Sequence, residues 1–143
     1  MIELTIVILI VGITAAVAAP RLADTVRAMR LRAAANQLAA HIDYVRSVAL
    51  KESRTTTLVF DNSLDHYLCD NVLLPDRPGQ RCYIAVREDH DPSFDLTADF
   101  DSRSELSFDF EGVPNVKSTP MVSGTVILGC GKEQYQVPAA MAT

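Results

Sequence analysis

Ile2-Glu3-Leu4-Thr5-Ile6-Val7-Ile8-Leu9-Ile10-Val11-Gly12, followed after seven further residues by Pro20, is an apolar run carrying one charge, Glu3. A run of this length, apolar on every side, predicts a membrane-length helix. A carboxylate inside such a segment costs about 2.5–3.5 kcal/mol at mid-bilayer and less near an interface, so it is kept for a partner or a task. Read as a simple helix N-terminal acid it contributes only about 0.3–1 kcal/mol through the helix dipole. Gly12 adds backbone freedom and Pro20 removes a backbone donor, so the stretch between them, which also holds Thr14, is the weakest part of the helix.

Beyond Pro20 the pattern becomes amphipathic. Leu31, Ala34, Leu38, Ile42, Val45 and Ala49 recur at spacings of three and four, while Arg27, Arg30, Arg32, Gln37, Asp43 and Lys51 fall on other faces. The helix is expected to run to about Ser53, with that stripe facing a globular head. From there the signal turns to short alternating strands at Thr55–Asp61, Asp65–Cys69, Arg81–Arg87, Glu105–Phe110, Gly124–Cys130 and Gln134–Val137. The first two read as a hairpin across Asn62-Ser63-Leu64, and the last two flank Gly131-Lys132. The segments 74–79, Asp89–Ser93 and Gly112–Pro120, rich in Pro, Asp and Gly, read as loops. The expected architecture is α+β: residues 1–20 as an apolar half-stem, 21–53 as an amphipathic half-stem, and 54–143 as a head whose antiparallel sheet packs on the helix.

The stem motif and Pro20 resemble the N-terminal stem of type IV pilins and type II secretion pseudopilins. The family's basic leader, ending in Gly before a Phe-Thr-Leu-like start, is not in this chain, and Met1 stands where the third mature residue would be. A finer resemblance, to the GspH/FimT-like minor pseudopilins and minor pilins, is carried by three places. They are Leu38-Ala-Ala-His-Ile-Asp-Tyr-Val-Arg46-Ser47-Val-Ala49 leading into Thr57-Leu-Val-Phe60, then Leu106-Ser-Phe-Asp-Phe-Glu-Gly112, and Ser123-Gly-Thr-Val-Ile-Leu128. The family's Thr-Gly-Arg-like close is replaced here by Ala142-Thr143.

The resemblance implies a structural, non-enzymatic subunit of a type IV pilus or type II pseudopilus, of the minor tip or priming kind. It implies that the stem sits in the bacterial inner membrane as a single span with a periplasmic head and later packs into a filament core. Glu3 would pair with the amino terminus of a neighbouring subunit, and the Gly12–Pro20 stretch would be able to extend. Expected partners are other pilin or pseudopilin subunits, inner-membrane lipid before assembly, and the assembly platform; no cofactor is expected. The competing readings are a DNA-binding minor pilin of an uptake pilus, a major pilin forming the bulk of a fibre, and an ordinary secretory signal cut after Ala16-Val17-Ala18.

Charge separates these readings. Residues 21–54 carry seven Lys/Arg against three acids, whereas residues 55–143 carry six against fourteen. So acidic a head repels phosphate backbones, which makes nucleic acid an unlikely partner. Arg27, Arg30 and Arg32 remain the candidates for an anionic partner, read chiefly as a collar for the acidic heads of adjacent subunits. Cys69, Cys82 and Cys130 allow one disulfide in an oxidising compartment and leave an odd thiol. Cys69 with Cys82 closes a short loop and is the favoured pair, with Cys130 open as a replacement for either. No Cys-x-x-Cys motif or paired His favours a metal; Asp89, Asp91 and Asp95 are the calcium candidates within an acid-rich loop, 89–101, that lacks EF-hand spacing. His41, His66 and His90 stand apart without a nucleophile elbow, which argues against a catalytic triad.

Overall fold

The computed structural model describes residues 2–73, 81–117, 119–121, 123–131 and 133–138, with the side chains of Ala15, 17–21, Asn71 and Arg81 outside the description. The expected loop at 74–79, Lys132 of the expected 131–132 turn and the C-terminal residues 139–143 lie outside the described residues.

One helix, α1 (Ile2–Glu52), runs through both Gly12 and Pro20. It stops where Ser53 takes a left-handed φ of 49° and the Arg54 N–H reaches back to Ala49 O at 3.2 Å, a Schellman closure. Among the described residues nine strands follow: β1 (Thr56–Asp61), β2 (His66–Leu73), β3 (Arg81–Ala85), β4 (Phe94–Phe100), β5 (Glu105–Phe108), β6 (Pro114–Val116), β7 (Thr119–Pro120), β8 (Gly124–Cys130) and β9 (Glu133–Pro138). A single helical turn, α2 (Val86–Asp89), sits between β3 and β4.

The strands form two antiparallel sheets rather than the one expected, ordered β3-β2-β1-β5-β6-β7 and β4-β8-β9. Each sheet has one apolar face, and α1 touches both, through β1, β2 and β5 on one side and β8 and β9 on the other. The expected stripe is the shared floor: Leu31, Ala34, Leu38, Ile42, Val45 and Ala49 are all buried, with Ala35 and Val48 widening it. Phe60 of β1 meets Phe100 of β4 at 5.3 Å between ring centroids, closing the core where the sheets approach each other.

The largest departure from expectation is β4. Residues 94–100 had read as part of an acid-rich loop, yet Phe94, Leu96, Ala98 and Phe100 are buried in strict alternation with exposed Asp95, Thr97 and Asp99. The aspartates mark the solvent face of a strand, the usual place for charge on a one-sided antiparallel sheet. Two expected strands are shorter than read. The Arg81–Arg87 strand ends at Ala85, where α2 begins, and the Glu105–Phe110 strand ends at Phe108, because the Asp109 carboxylate accepts the Glu111 and Val113 N–H groups at 3.0 and 2.9 Å and turns the chain. The expected Gly112–Pro120 loop contains the short hairpin β6–β7.

β4 has β8 on one side only, and its other edge is closed by side chains from the β1–β2 turn. Asn62 accepts the Ala98 N–H at 3.0 Å and donates to Ala98 O at 3.1 Å, while the Asp65 carboxylate accepts the Leu96 N–H at 2.7 Å. Asp65 is 4% exposed, has a φ of 51°, pairs with Arg87 Nε at 2.9 Å and offers its carbonyl to the Val86 N–H. Arg87 in turn holds Phe94 O and Asp95. The turn thus fastens the two sheets together and occupies the Leu96 and Ala98 amides of that edge.

Replacing Asp65 with Ala removes the acceptor for the buried Leu96 N–H, at a cost of about 1–3 kcal/mol. The half-exposed Arg87 pair adds less. Thermal unfolding of a chain lacking residues 1–28 is expected to show Tm lowered by at least about 4 °C, with Asp65→Asn intermediate; an unchanged Tm would show that the turn does not hold β4.

The turn carboxylates Asp61, Asp91 and Asp109 are all held below the usual carboxylate range. The causes are the Ser63 hydroxyl and N–H for Asp61, the Ser93 hydroxyl and N–H for Asp91, and the Val113 N–H for Asp109. A folded value depressed below the unfolded one gives stability that is present above about pH 4 and lost as pH falls through the folded values. Denaturant midpoints are expected to drop between about pH 5 and pH 2.5, and Asp109→Asn to lose less over that interval than the parent.

Candidate assembly interface

α1 presents its first half without cover. Ile2, Leu4, Ile6, Val7, Ile8, Leu9, Ile10, Val11 and Ile13 are exposed on all sides, and Glu3 is exposed among them in the first turn. Thr5 and Thr14 turn their hydroxyls inward, Thr5 onto Ile2 O at 2.6 Å and Thr14 onto Ile10 O and Val11 O at 3.0 and 2.9 Å, so they expose little polarity. Among the described residues no helix carries an apolar window long enough to cross a membrane; the apolar run also contains Ala15 and residues 17–19, whose side chains are not described. Gly12 has open space where a Cβ would stand, and the side chain of Pro20 lies outside the described set.

Farther along, α1 has two opposed faces. At about 100° per residue the buried stripe centred on Leu31, Ala34 and Leu38 lies opposite Leu22, Val26, Met29 and Ala33. The latter are exposed, Leu22 and Met29 by 67% and 63%. This outward stripe escaped the sequence reading, which followed only one phase of the periodicity; the spacing 22, 26, 29, 33 was its signal.

The arginine collar is partly committed within its own chain. Arg30 Nη1 lies 3.5 Å from Asp91 Oδ2, and Arg30 and Arg27 both favour the ionised Asp91, after the larger effect of its Ser93 hydrogen bonds. Arg27 also lines a cleft of about 440 Å3 with Asp24, Ser93, Cys130, Gly131 and Glu133, whereas Arg32 is exposed on another face.

Cys69 and Cys82 stand on the neighbouring strands β2 and β3 with Cα atoms 5.1 Å apart and form the disulfide; Cys130 is the free thiol, 3.3 Å from Ser93 Oγ. The three calcium candidates point to different tasks. Asp91 binds Ser93 and Arg30, Asp95 pairs with Arg87 on the outer face of β4, and Asp89 ends α2. Among the described residues no group of three His, Cys, Asp or Glu is arranged around a common metal position. The histidines are likewise apart. His41 is buried on α1 with Nδ1 2.7 Å from Tyr67 Oη, His66 packs on the Tyr83 ring, and His90 caps α2.

A distal apolar surface was also unforeseen. Leu50 in the last turns of α1, with Phe110 and Val113 on either side of Gly112, is 48, 59 and 38% exposed, respectively. Gly112 has φ 73°, and an added Cβ would stand 3.0 Å from the Leu50 side chain, so only Gly lets this turn lie against the helix. Arg46 Nε holds the Gly112 carbonyl at 3.0 Å.

The fold is shared with solved minor pilins. The type IV minor pilin FimU of Pseudomonas aeruginosa (strain PAO1) aligns in one crystal form with a TM-score of 0.55, at 14% identity over 80% of this chain and 84% of that one. A second crystal form aligns with a TM-score of 0.52, at 13% identity over 76% and 85%. Among curated proteins no relative matches the sequence. The family model described as type II transport protein GspH matches residues 34–141, which takes in the last part of α1 and all the strands described above. The protein belongs to the GspH family of pilin-like subunits.

Proposed function

We propose that this pilin-like structural subunit is a minor one, placed at or near the tip of a type IV pilus or type II pseudopilus, where it primes assembly. The observation that carries the reading is the unpartnered first half of α1. An all-round apolar surface bearing a single carboxylate continues without a break into the helix that floors the head. A surface of that kind is stable only in lipid or among other helices.

Before assembly, residues 1–20 would lie in the bacterial inner membrane as a single span, with residues 21–53 leading to a periplasmic head formed by 54–143. During assembly the same half-stem would leave lipid, through the assembly platform, for the apolar centre of a filament of pilin-type subunits. There Glu3 supplies the counter-charge for a neighbour's amino terminus, and the pair sets the axial stagger. Gly12 and Pro20 supply the stretch of helix that can extend when subunits pack. The Cys69–Cys82 disulfide suits a head that works in an oxidising space. The acidic head favours protein neighbours over DNA.

The test is Glu3→Val in the full chain. Membrane fractionation is expected to stay at the parent level, because the stem becomes more apolar. Recovery in sheared filaments, or in complexes with partner subunits, is expected to fall at least tenfold, the factor that about 1.4 kcal/mol gives. Parent-level recovery in both fractions would sink the assembly role of Glu3.

A further inference from the structure

We propose that the outward stripe of α1, Leu22, Val26, Met29 and Ala33, lies against the surface of the lipid bilayer before assembly, with the stem tilted by about 40° and the head carried on its upper side. The contact rests on the membrane-span reading of residues 1–20 and adds to it a lipid surface on residues 22–33.

Apolar exposure along α1 narrows in steps. Through Ile13 it covers all sides of the helix. From Leu22 to Ala33 it is confined to one face, and at Asn36, Asp43 and Ser47, which prolong that face, exposed polar groups replace it. A span standing upright needs apolar surface that ends at one level all round. A span inclined toward the stripe needs it to end later on the stripe side, because the bilayer surface then cuts the helix obliquely. A second helix packed lengthwise on α1 would instead require a stripe that continues past Ala33.

The offset fits the dimensions of a bilayer. On the stripe side the apolar run reaches Val26, about 9 Å of helix axis beyond Pro20. Across a helix about 11 Å thick that offset is an inclination of about 40°, the upper end of the range for membrane helices. Met29 then falls within the headgroup layer, about 5–7 Å deep on each side of the hydrocarbon, and Ala33 at its outer limit.

Charge on the two sides agrees with this placement. Asp24 and Arg27 are level with the start of the stripe but line the cleft shared with Ser93, Cys130 and Glu133, so they stay in water on the head side. The head itself packs on the opposite face of α1, through Leu31, Ala34 and Leu38, which keeps the fourteen acids of residues 55–143 away from anionic headgroups. Arg32 is exposed on the flank of the stripe, about 90° from its midline, where a long side chain can lower its guanidinium to a lipid phosphate.

The experiment uses the full chain in a Cys130→Ser background, reconstituted in vesicles of phosphatidylcholine and phosphatidylglycerol. A polarity-sensitive fluorophore is attached in turn through Ile8→Cys, Asp24→Cys, Val26→Cys, Met29→Cys and Ala40→Cys, and quenched by spin-labelled lipid or by aqueous iodide. Positions 26 and 29 are expected to be quenched by the lipid at least threefold more than positions 24 and 40, with the order reversed for iodide. Arg32→Glu is expected to lower lipid quenching at position 29 at least twofold.

Equal lipid quenching at positions 24 and 26 would mean an upright stem, and iodide quenching at 26 and 29 equal to that at 40 would mean a stripe left in water. Protection of 26 and 29 from both quenchers would mean that a second copy covers them. Each of these overturns the bilayer contact, while lipid quenching at position 8 keeps the span reading standing. No effect of Arg32→Glu overturns the headgroup contact of that residue, and iodide quenching at position 8 overturns both readings.

Discussion

Every element of the head depends on one helix face. The two sheets each have a single apolar side, and they meet each other at the Phe60–Phe100 contact and at the β1–β2 turn. The stripe from Leu31 to Ala49 supplies the missing cover to both, which is why its residues are small or aliphatic and nearly fully buried. A head built in this way cannot be separated from the C-terminal half of its stem. The same helix is therefore both anchor and core, and a push on the stem is delivered directly to the sheets.

The second constraint is the exposed edge of β4. A two-sheet head with a short second sheet has an edge strand open to pairing with foreign chains. Here the β1–β2 turn closes it with Asn62 and Asp65, whose side chains imitate a neighbouring strand by taking the Leu96 and Ala98 N–H groups and the Ala98 carbonyl. Arg87 extends the same cluster to Asp95 and Phe94 O. Loop residues, rather than a further strand, thus hold the smaller sheet to the larger one.

Charge divides between inside and outside in a way the composition alone does not reveal. The basic segment of the stem and the acidic head are complementary between molecules, yet Arg30 and Arg27 already face Asp91 of their own head. What remains for neighbours is narrower: Arg32, the outward stripe from Leu22 to Ala33, the apolar surface at Leu50, Phe110 and Val113, and the apolar first half of α1.

The sequence by itself determined what depends on local periodicity. The length of the stem, the stripe that became the core floor, the β1–β2 hairpin, β8, and the lone carboxylate in an apolar run could all be read because each is written in spacings of two, three or four residues. Residues 94–100 had the same kind of signal and were misread, because their aspartates suggested a loop when they were the solvent face of β4. Only the tertiary structure decided the division into two sheets, the service of Asn62 and Asp65 to β4, and the close approach of Gly112 to Leu50. Each of these unites residues far apart in the chain. Spacing along a sequence reports which way a side chain points on its own element, whereas the neighbour it meets is set by how the elements pack.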